Sequence, residues 1–212
     1  MSTPTKQFYQ VQAEKVVKAF EKRKIKAYYC ATKEEGIQKV LELIPKESSV
    51  SWGGSMTLQE LQLPQKLHQG SYHLLDRSLA KSPEEIEKMY HDALSCDYYL
   101  MSSNAITLDG KLVNIDGTGN RIAALIYGPK NVIVIAGMNK IVTDEAAALL
   151  RVRNQAAPIN AFRLQQNTPC TVMGQCGDCL SEDCICGHTL ITRMSRIPYR
   201  IKVVLIGESL GY

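Results

Sequence analysis

Long apolar runs, a concentrated basic region and an N-terminal leader are all missing from this sequence of 212 residues. No apolar run approaches the ~20 residues that a membrane-spanning helix needs, and the polar segment 1–9 lacks the apolar centre of a signal peptide. The net charge is only +4, and basic residues alternate with acidic ones, which does not indicate a nucleic-acid partner. These absences predict a cytoplasmic protein that binds no nucleic acid and has no membrane span.

Short apolar segments alternate with amphipathic stripes along most of the chain. Strands are expected at 27–30, 48–52, 72–75, 98–101, 132–136 and 201–206. Helices are expected at about 5–24, 33–44, 56–61, 83–95 and 143–153. Strands that are apolar throughout, rather than at alternate positions, indicate a mostly parallel sheet that helices cover on both faces. We therefore expect one α/β domain spanning residues 1–212, with no linker that would divide it.

The segment from Asn104 to Lys140 departs from this alternation. Two apolar runs, 105–108 and 112–115, flank an Asp-Gly-Lys turn. This pattern predicts a β-hairpin, because glycine accepts the positive φ of the turn. The hairpin and a cysteine-rich segment at 167–190 are therefore expected as additions to the parallel sheet.

Two glycine-bearing loops, 52–55 and 116–121, each join a predicted strand to a predicted helix. Ligands of open parallel sheets bind beyond the carboxyl ends of the strands, where such loops gather. The unpaired N–H groups of a helix N-terminus and the helix dipole favour an anion, and Arg121 could add a bidentate contact. The loops together predict an anion-binding crevice. Simple turn and capping chemistry is the alternative, since neither loop is a P-loop or a dinucleotide fingerprint.

The candidate ligand-binding residues from this argument are Trp52, Gly53, Gly54, Ser55, Asp116, Gly117, Thr118, Gly119, Asn120, Arg121 and Lys140. Lys140 is included because it follows a predicted strand and a glycine, although a solvated surface lysine is an equal alternative. Asp116 is also the candidate catalytic base, although a ligand contact and a helix N-cap are open alternatives.

Cysteine is not scarce, and five of the seven cysteines lie between Cys170 and Cys186. A disulfide framework is not expected in the cytoplasm, and Cys30 and Cys96 fit small buried side chains beside strands. The spacing Cys-x5-Cys-x2-Cys-x6-Cys is formed by Cys170, Cys176, Cys179 and Cys186. Four thiolates suit zinc or a 4Fe–4S cluster, and the segment has too few apolar residues to order itself by burial. Free thiols or a disulfide in a flexible loop are the alternatives.

Several longer motifs resemble the LUD-domain family, which includes the lactate utilisation protein C group. They lie at 51–58, 114–123, 137–142, 151–158 and 207–212, together with the cysteine segment. The resemblance covers nearly the whole chain. It implies a fold similar to the group of ribose-5-phosphate isomerase, glucosamine-6-phosphate deaminase and CoA-transferase, which binds phosphorylated sugars, CoA esters and related anions.

The resemblance also implies a function. It favours an accessory or electron-transfer component in the oxidation of lactate or a related 2-hydroxy acid, working with redox partner proteins. The same redox association favours a 4Fe–4S cluster over zinc. The alternatives are an enzyme acting on a phosphorylated, carboxylate or CoA-linked small molecule, and a metal-stabilised binding module without catalysis. A homo-oligomer is compatible with each.

Two positions depart from the patterns of related proteins. Asn104 aligns with an Asp of methylthioribose-1-phosphate isomerase-like proteins, so it joins the candidate ligand-binding residues. An asparagine cannot act as a general acid or base as a carboxylate does, and isomerisation by that route is not expected. Cys184 stands where LUD-domain proteins more often carry a basic residue, so it is left out of the candidate metal ligands.

Overall fold

The computed structural model describes residues 2–212 and contains a larger and a smaller sheet. The strands are β1 (Lys26–Cys30), β2 (Ser49–Trp52), β3 (His73–Leu75), β4 (Tyr98–Met101), β5 (Ala105–Thr107), β6 (Leu112–Asp116), β7 (Asn131–Gly137), β8 (Ile141–Val142), β9 (His188–Thr192) and β10 (Ile201–Ile206). The α-helices are α1 (Thr3–Lys22), α2 (Lys33–Glu42), α3 (Met56–Glu60), α4 (Leu63–His68), α5 (Pro83–Ala93), α6 (Asn120–Ile126), α7 (Glu145–Arg151), α8 (Ala157–Arg163) and α9 (Pro169–Met173).

The larger sheet has the order β1-β10-β7-β4-β2-β3, and every adjacent pair in it is parallel. Its central strands are buried on both faces. In β7, Val132 and Val134 face one hydrophobic cluster, and Ile133 and Ile135 face the other. A parallel strand between two helical layers needs apolar residues at every position. The predicted α/β fold with a mostly parallel sheet is therefore confirmed.

The smaller sheet has the order β8-β5-β6-β9 and is built around the predicted hairpin of β5 and β6. Gly110 has a φ of +82° in its turn, and a Cβ at this position would lie 2.9 Å from backbone atoms of Ala19 and Phe20. The turn thus requires glycine for both its conformation and its close approach to α1. Strand β9 was not predicted, and it pairs with β6 directly after the cysteine segment.

Two helices begin with a capping box. Glu35 N–H donates to Thr32 Oγ1 (3.3 Å) at the start of α2, and Glu85 N–H donates to Ser82 Oγ (3.3 Å) at the start of α5. Both glutamates also accept a hydrogen bond from the backbone just before the cap. These reciprocal bonds satisfy N–H groups that a helix start leaves unpaired.

The helix predicted at 143–153 is longer in the structure. After α7, a π-helical turn at Val152–Ala156 leads directly into α8, which ends at Arg163. The π-helical turn interrupts the α-helical hydrogen-bond pattern between α7 and α8. Pro158 therefore lies in the first turn of α8, where its missing N–H is tolerated. This continuation brings α8 over the carboxyl edge of the larger sheet.

None of the helices within residues 2–212 combines the length and apolar character that crossing a bilayer requires. Met1 lies outside the described residues. It is the first residue of the predicted domain 1–212 and of the polar segment 1–9.

Candidate functional site

A polar cavity of about 530 Å³ lies at the carboxyl ends of the larger sheet's strands. Segments that follow five of the six strands of the larger sheet line this cavity. The lining residues are Gly54, Ser55, Met56 and Thr57 after β2, Arg77 and Ser78 after β3, Ser102, Ser103 and Asn104 after β4, Lys140 after β7, and Gly211 and Tyr212 after β10. The opposite wall includes Ile115, Asp116, Gly117, Thr118, Asn120, Arg121, Ala156, Asn160, Arg163, Leu164 and Ile185. Both glycine-bearing loops therefore reach one cavity, in the position where parallel sheets bind ligands.

The first loop uses its glycines to approach other side chains. A Cβ on Gly54 would lie 2.6 Å from Arg77 Nη2, and one on Gly53 would lie 3.1 Å from the Tyr99 hydroxyl. Trp52 lies outside the cavity and packs edge-on against the His68 ring, with 6.2 Å between centroids. The loop's glycines thus let an arginine and a tyrosine pack closely beneath the cavity.

The second loop is held by Asp116. Its two carboxylate oxygens accept hydrogen bonds from Gly119 N–H (3.2 Å) and Ile122 N–H (3.3 Å), and Oδ2 also lies 3.4 Å from Arg121 Nε. Gly119 has a φ of +90° and lies against the His188 ring rather than among the cavity-lining residues. Asp116 therefore caps α6 and pairs with Arg121, which leaves neither oxygen free of a protein partner.

The helix starts contribute less to anion binding than the sequence predicts. Helix α3 has five residues and α6 has seven, and the first-turn N–H groups of Leu58 and Ile122 donate to Ser55 and Asp116. Short, side-chain-capped helices present a weak dipole and few unpaired N–H groups. The charge of the cavity must therefore come from its side chains.

The guanidinium group of Arg121 is fully engaged by the protein. Nη1 donates to Asn114 Oδ1 (2.7 Å) and to the Ser102 carbonyl (3.3 Å). Nη2 donates to Asn104 Oδ1 (3.0 Å) and to the Ile115 carbonyl (2.7 Å), while Nε faces Asp116. No N–H of Arg121 is left for the bidentate ligand contact that the sequence suggests. Arg121 instead ties the segment after β4 to β6.

Lys140 is buried at the cavity wall, with 3% of its surface exposed. Its Nζ donates to Thr57 Oγ1 and Ser102 Oγ, both at 3.0 Å. Within residues 2–212 no carboxylate lies within ion-pairing distance of it. Burial, followed by the nearby Arg151 and Arg121 charges, lowers the pKa of Lys140 to about 7.

The lowered pKa of Lys140 predicts an unusual dependence of stability on pH. Between pH 7 and its ordinary pKa of 10.5, this lysine binds more protons in the unfolded chain than in the folded one. The free energy of unfolding should therefore rise with pH across this window, by up to about 1.4 kcal/mol per pH unit from this group. Urea denaturation at pH 7, 8 and 9 should show a steeper rise in the wild type than in Lys140→Met. Equal slopes in the two proteins would contradict the lowered pKa.

Arg77 and Arg163 complete the cationic lining, and the sequence reasoning missed both. Arg77 Nη1 donates to the Tyr90 hydroxyl (2.7 Å), and its guanidinium lies 5.5 Å from the centroid of that ring. Arg163 donates to Asn160 Oδ1 from Nε and Nη2. In the part of the chain that the structure describes, neither arginine lies within ion-pairing distance of a carboxylate. Arg77 lies two residues after the end of β3, so inspecting the residues that follow every predicted strand would have found it.

The cysteine segment surrounds a second cavity of about 380 Å³. Five cysteines line it: Cys170, Cys176, Cys179, Cys184 and Cys186. The extra Cys184 therefore faces the same cavity as the four predicted ligands. Burial and the neighbouring Cys184, Cys176 and Cys170 thiols raise the pKa of Cys186 to about 12. Ile115 and Ile185 line both this cavity and the polar one.

Thiols are the appropriate donors for zinc or an iron–sulfur cluster, and their number is sufficient. However, among residues 2–212 no three Cys, His, Asp or Glu side chains are grouped closely enough to hold a metal ion. Metal binding would therefore require the cysteine segment to draw its thiols together.

Fold and cavity define the chain as an α/β protein with a mostly parallel sheet and a cationic cavity at the carboxyl ends of its strands. The chain belongs to the LUD domain family, whose model matches residues 13–206. This match confirms the family resemblance. A search of curated proteins found no match to the sequence.

One solved structure shares the fold at low sequence identity. A DUF162 family protein from Deinococcus radiodurans has a TM-score of 0.54 and 12% identity, covering 95% of this chain and 98% of that chain. The tetrameric eIF2B-beta2-delta2 complex from C. thermophilum is less similar, with a TM-score of 0.42 and 16% identity, covering 82% of this chain and 55% of that chain. For eIF2B delta from Chaetomium thermophilum the TM-score is 0.36 and the identity 16%, covering 56% of this chain and 51% of that chain.

Proposed function

We propose that this protein takes part in the oxidation of lactate or a related 2-hydroxy acid, as an accessory or electron-transfer component that holds the acid in the polar cavity. One observation carries this proposal. Two arginines, Arg77 and Arg163, line the cavity without a carboxylate partner in the described chain, whereas Asp116 is paired with Arg121. An excess of positive charge in a partly closed cavity favours an anionic ligand. The lactate utilisation resemblance supplies the reaction class.

The size of the cavity favours a second candidate function. A volume of about 530 Å³ lies within the range of sites for drug-sized ligands, roughly 300–1,000 Å³, and lactate would fill only part of it. An enzyme acting on a phosphorylated or CoA-linked molecule is therefore the alternative that the geometry supports.

Calorimetry with matched ligands tests both candidates. Lactate should bind, whereas propane-1,2-diol, which keeps the 2-hydroxyl group and has a hydroxymethyl group in place of the carboxylate, should not. For the second candidate, the affinity for ribose 5-phosphate is compared with that for ribose. Native mass spectrometry of the purified protein would detect a co-purifying anion. If no anion co-purifies and neither charged ligand binds more tightly than its neutral partner, the anion site is rejected. Lactate turnover with an electron acceptor, with and without candidate redox partners, then tests the accessory role.

The second cavity supports a metal centre as part of this function. Its ligands would be Cys170, Cys176, Cys179 and Cys186, with Cys184 beside them. A 4Fe–4S cluster bound there would supply one-electron transfer, and zinc would supply only structural support. The convergence of five thiols on one cavity supports this proposal.

Replacing Cys179 with serine is expected to remove most of the bound metal from protein purified anaerobically. The thiolate is the ligand, and losing one of four breaks the coordination shell. Iron, zinc and acid-labile sulfide would be measured per chain in the wild type, Cys179→Ser, Cys184→Ser and Cys30→Ser. Cys30 is buried away from the cavity and serves as the matched control. A wild-type protein with neither metal near stoichiometry under these conditions would overturn the metal proposal.

A further inference from the structure

The amine of Lys140 is held in an arrangement that leaves its lone pair unengaged. Nζ donates to the hydroxyl oxygens of Thr57 and Ser102, each at 3.0 Å. The hydroxyl protons are directed elsewhere, since Thr57 Oγ1 donates to the Leu210 carbonyl and Ser102 Oγ to the Ser103 carbonyl, each at 3.4 Å. Both hydroxyls therefore act as acceptors towards Lys140.

This arrangement matches a neutral amine better than an ammonium ion. A neutral amine has two N–H groups and one lone pair, and two acceptors satisfy its N–H groups completely. An ammonium ion would carry a third N–H, which would have to be directed into the cavity, since residues 2–212 provide only these two protein acceptors. The pKa of Lys140, lowered to about 7 by burial and by Arg151 and Arg121, agrees with this geometry. Burial that keeps a lysine partly neutral is how proteins prepare an amine nucleophile.

The amine also faces a suitable ligand cavity. Lys140 lines the polar cavity together with Arg77 and Arg163, which attract a carboxylate. We propose that Lys140 is a nucleophile that forms a reversible imine with the carbonyl carbon of a 2-oxo acid whose carboxylate is bound by the cavity's arginines. This inference rests on the proposed function, because a 2-oxo acid is the product class of 2-hydroxy acid oxidation.

The step is balanced without an added oxidant or reductant. The Nζ lone pair attacks the carbonyl carbon, and proton transfer from nitrogen to oxygen gives a carbinolamine. Loss of the hydroxyl group as water, with the remaining amine hydrogen, forms the C=N bond. Hydrolysis reverses the sequence and restores the lysine and the oxo acid.

Reductive trapping tests the proposal on the full chain. The protein is incubated with pyruvate and cyanoborohydride at pH 7, digested, and mapped by mass spectrometry. A trapped lysine gains the mass of pyruvate less one oxygen atom. We expect labelling of Lys140 to exceed that of any other lysine by at least about tenfold, with half-maximal labelling near pH 7. Because the map is made on the wild type, the result does not depend on a variant that folds.

Variants and a second probe separate the outcomes. Lys140→Arg replaces the amine with a guanidinium group that forms no imine and should lose the dominant adduct, whereas Lys15→Arg, at an exposed position, should keep it. Labelling spread over exposed lysines, or absent from Lys140, overturns the proposal. Equal labelling by acetaldehyde, which has no carboxylate, overturns the role of the arginines and counts against the anion site as well. Lactate binding in calorimetry without an adduct at Lys140 overturns the imine alone and leaves the proposed function standing.

Discussion

Replacing Arg121 with alanine is expected to lower the free energy of unfolding by about 3–5 kcal/mol, because it breaks a largely buried charge network in which every N–H of the guanidinium group has a protein partner. The substitution leaves the amide oxygens of Asn104 and Asn114 without this donor and deprives Asp116 of its counter-ion. Each buried group that loses its partner incurs a desolvation cost. A domain of this size should then melt about 2–4 °C lower for each kcal/mol lost.

Urea denaturation of the wild type, Arg121→Ala and Arg121→Lys measures this effect. Lysine is a point charge that cannot reproduce the planar, multi-branched contacts of a guanidinium group, so Arg121→Lys should also be destabilised. Arg196→Ala, at an exposed position, is the matched control and should change stability little. If Arg121→Ala unfolds at the same urea concentration as Arg196→Ala, Arg121 does not hold the cavity walls together.

Reversing the charge of Arg77 is expected to weaken anion binding by about 100-fold or more. A charge-assisted contact contributes about 1.5–3 kcal/mol, and a glutamate at the same place would add repulsion to the lost attraction. Arg77 lines the cavity without an ion-pair partner in the described residues, so Arg77→Glu should fold normally. The change in affinity would then report on the ligand rather than on stability.

Calorimetry with lactate or ribose 5-phosphate, whichever the wild type binds, measures the change. Arg77→Lys preserves the sign of the charge and should lose far less affinity than Arg77→Glu. Tyr90→Phe removes the hydroxyl that accepts from Arg77 Nη1 and should have a smaller effect than either, since the charge remains. Unaltered binding in Arg77→Glu would exclude Arg77 as a ligand contact.

The sequence predicted the central sheet well because each of its strands had a strong local signal. The run 132–136 of β7 and the run 203–206 of β10 are apolar and buried at every position, which produces an unambiguous pattern. Helix α8 was missed because Pro158 normally ends a helix. The π-helical turn that accommodates this proline is set by tertiary packing, which no local pattern encodes. Strand β9 was missed because its residues gain their partner only by pairing with β6.

The cavity could be predicted in position but not in the roles of its residues. The two glycine-bearing loops line one cavity as predicted, although the 116–121 loop follows β6 of the smaller sheet rather than a strand of the parallel sheet. The same reasoning assigned Arg121 to a ligand, although its donors are used by Asn104, Asn114 and backbone carbonyls. Which way a buried arginine points depends on acceptors distant in sequence. For the same reason, the two hydroxyls that hold Lys140 could not be identified beforehand.

The shared wall between the two cavities has a thermodynamic consequence. Ile185 lines both cavities, and its backbone packs on the 116–121 loop so closely that a Cβ on Gly117 would lie 3.3 Å from Ile185 Cα. If a bound metal drew the thiols together and displaced Ile185, the free energy of ligand binding in the polar cavity would change with it. Linkage would then require the reverse effect to be of equal size. The factor by which metal changed anion affinity would equal the factor by which the anion changed metal affinity.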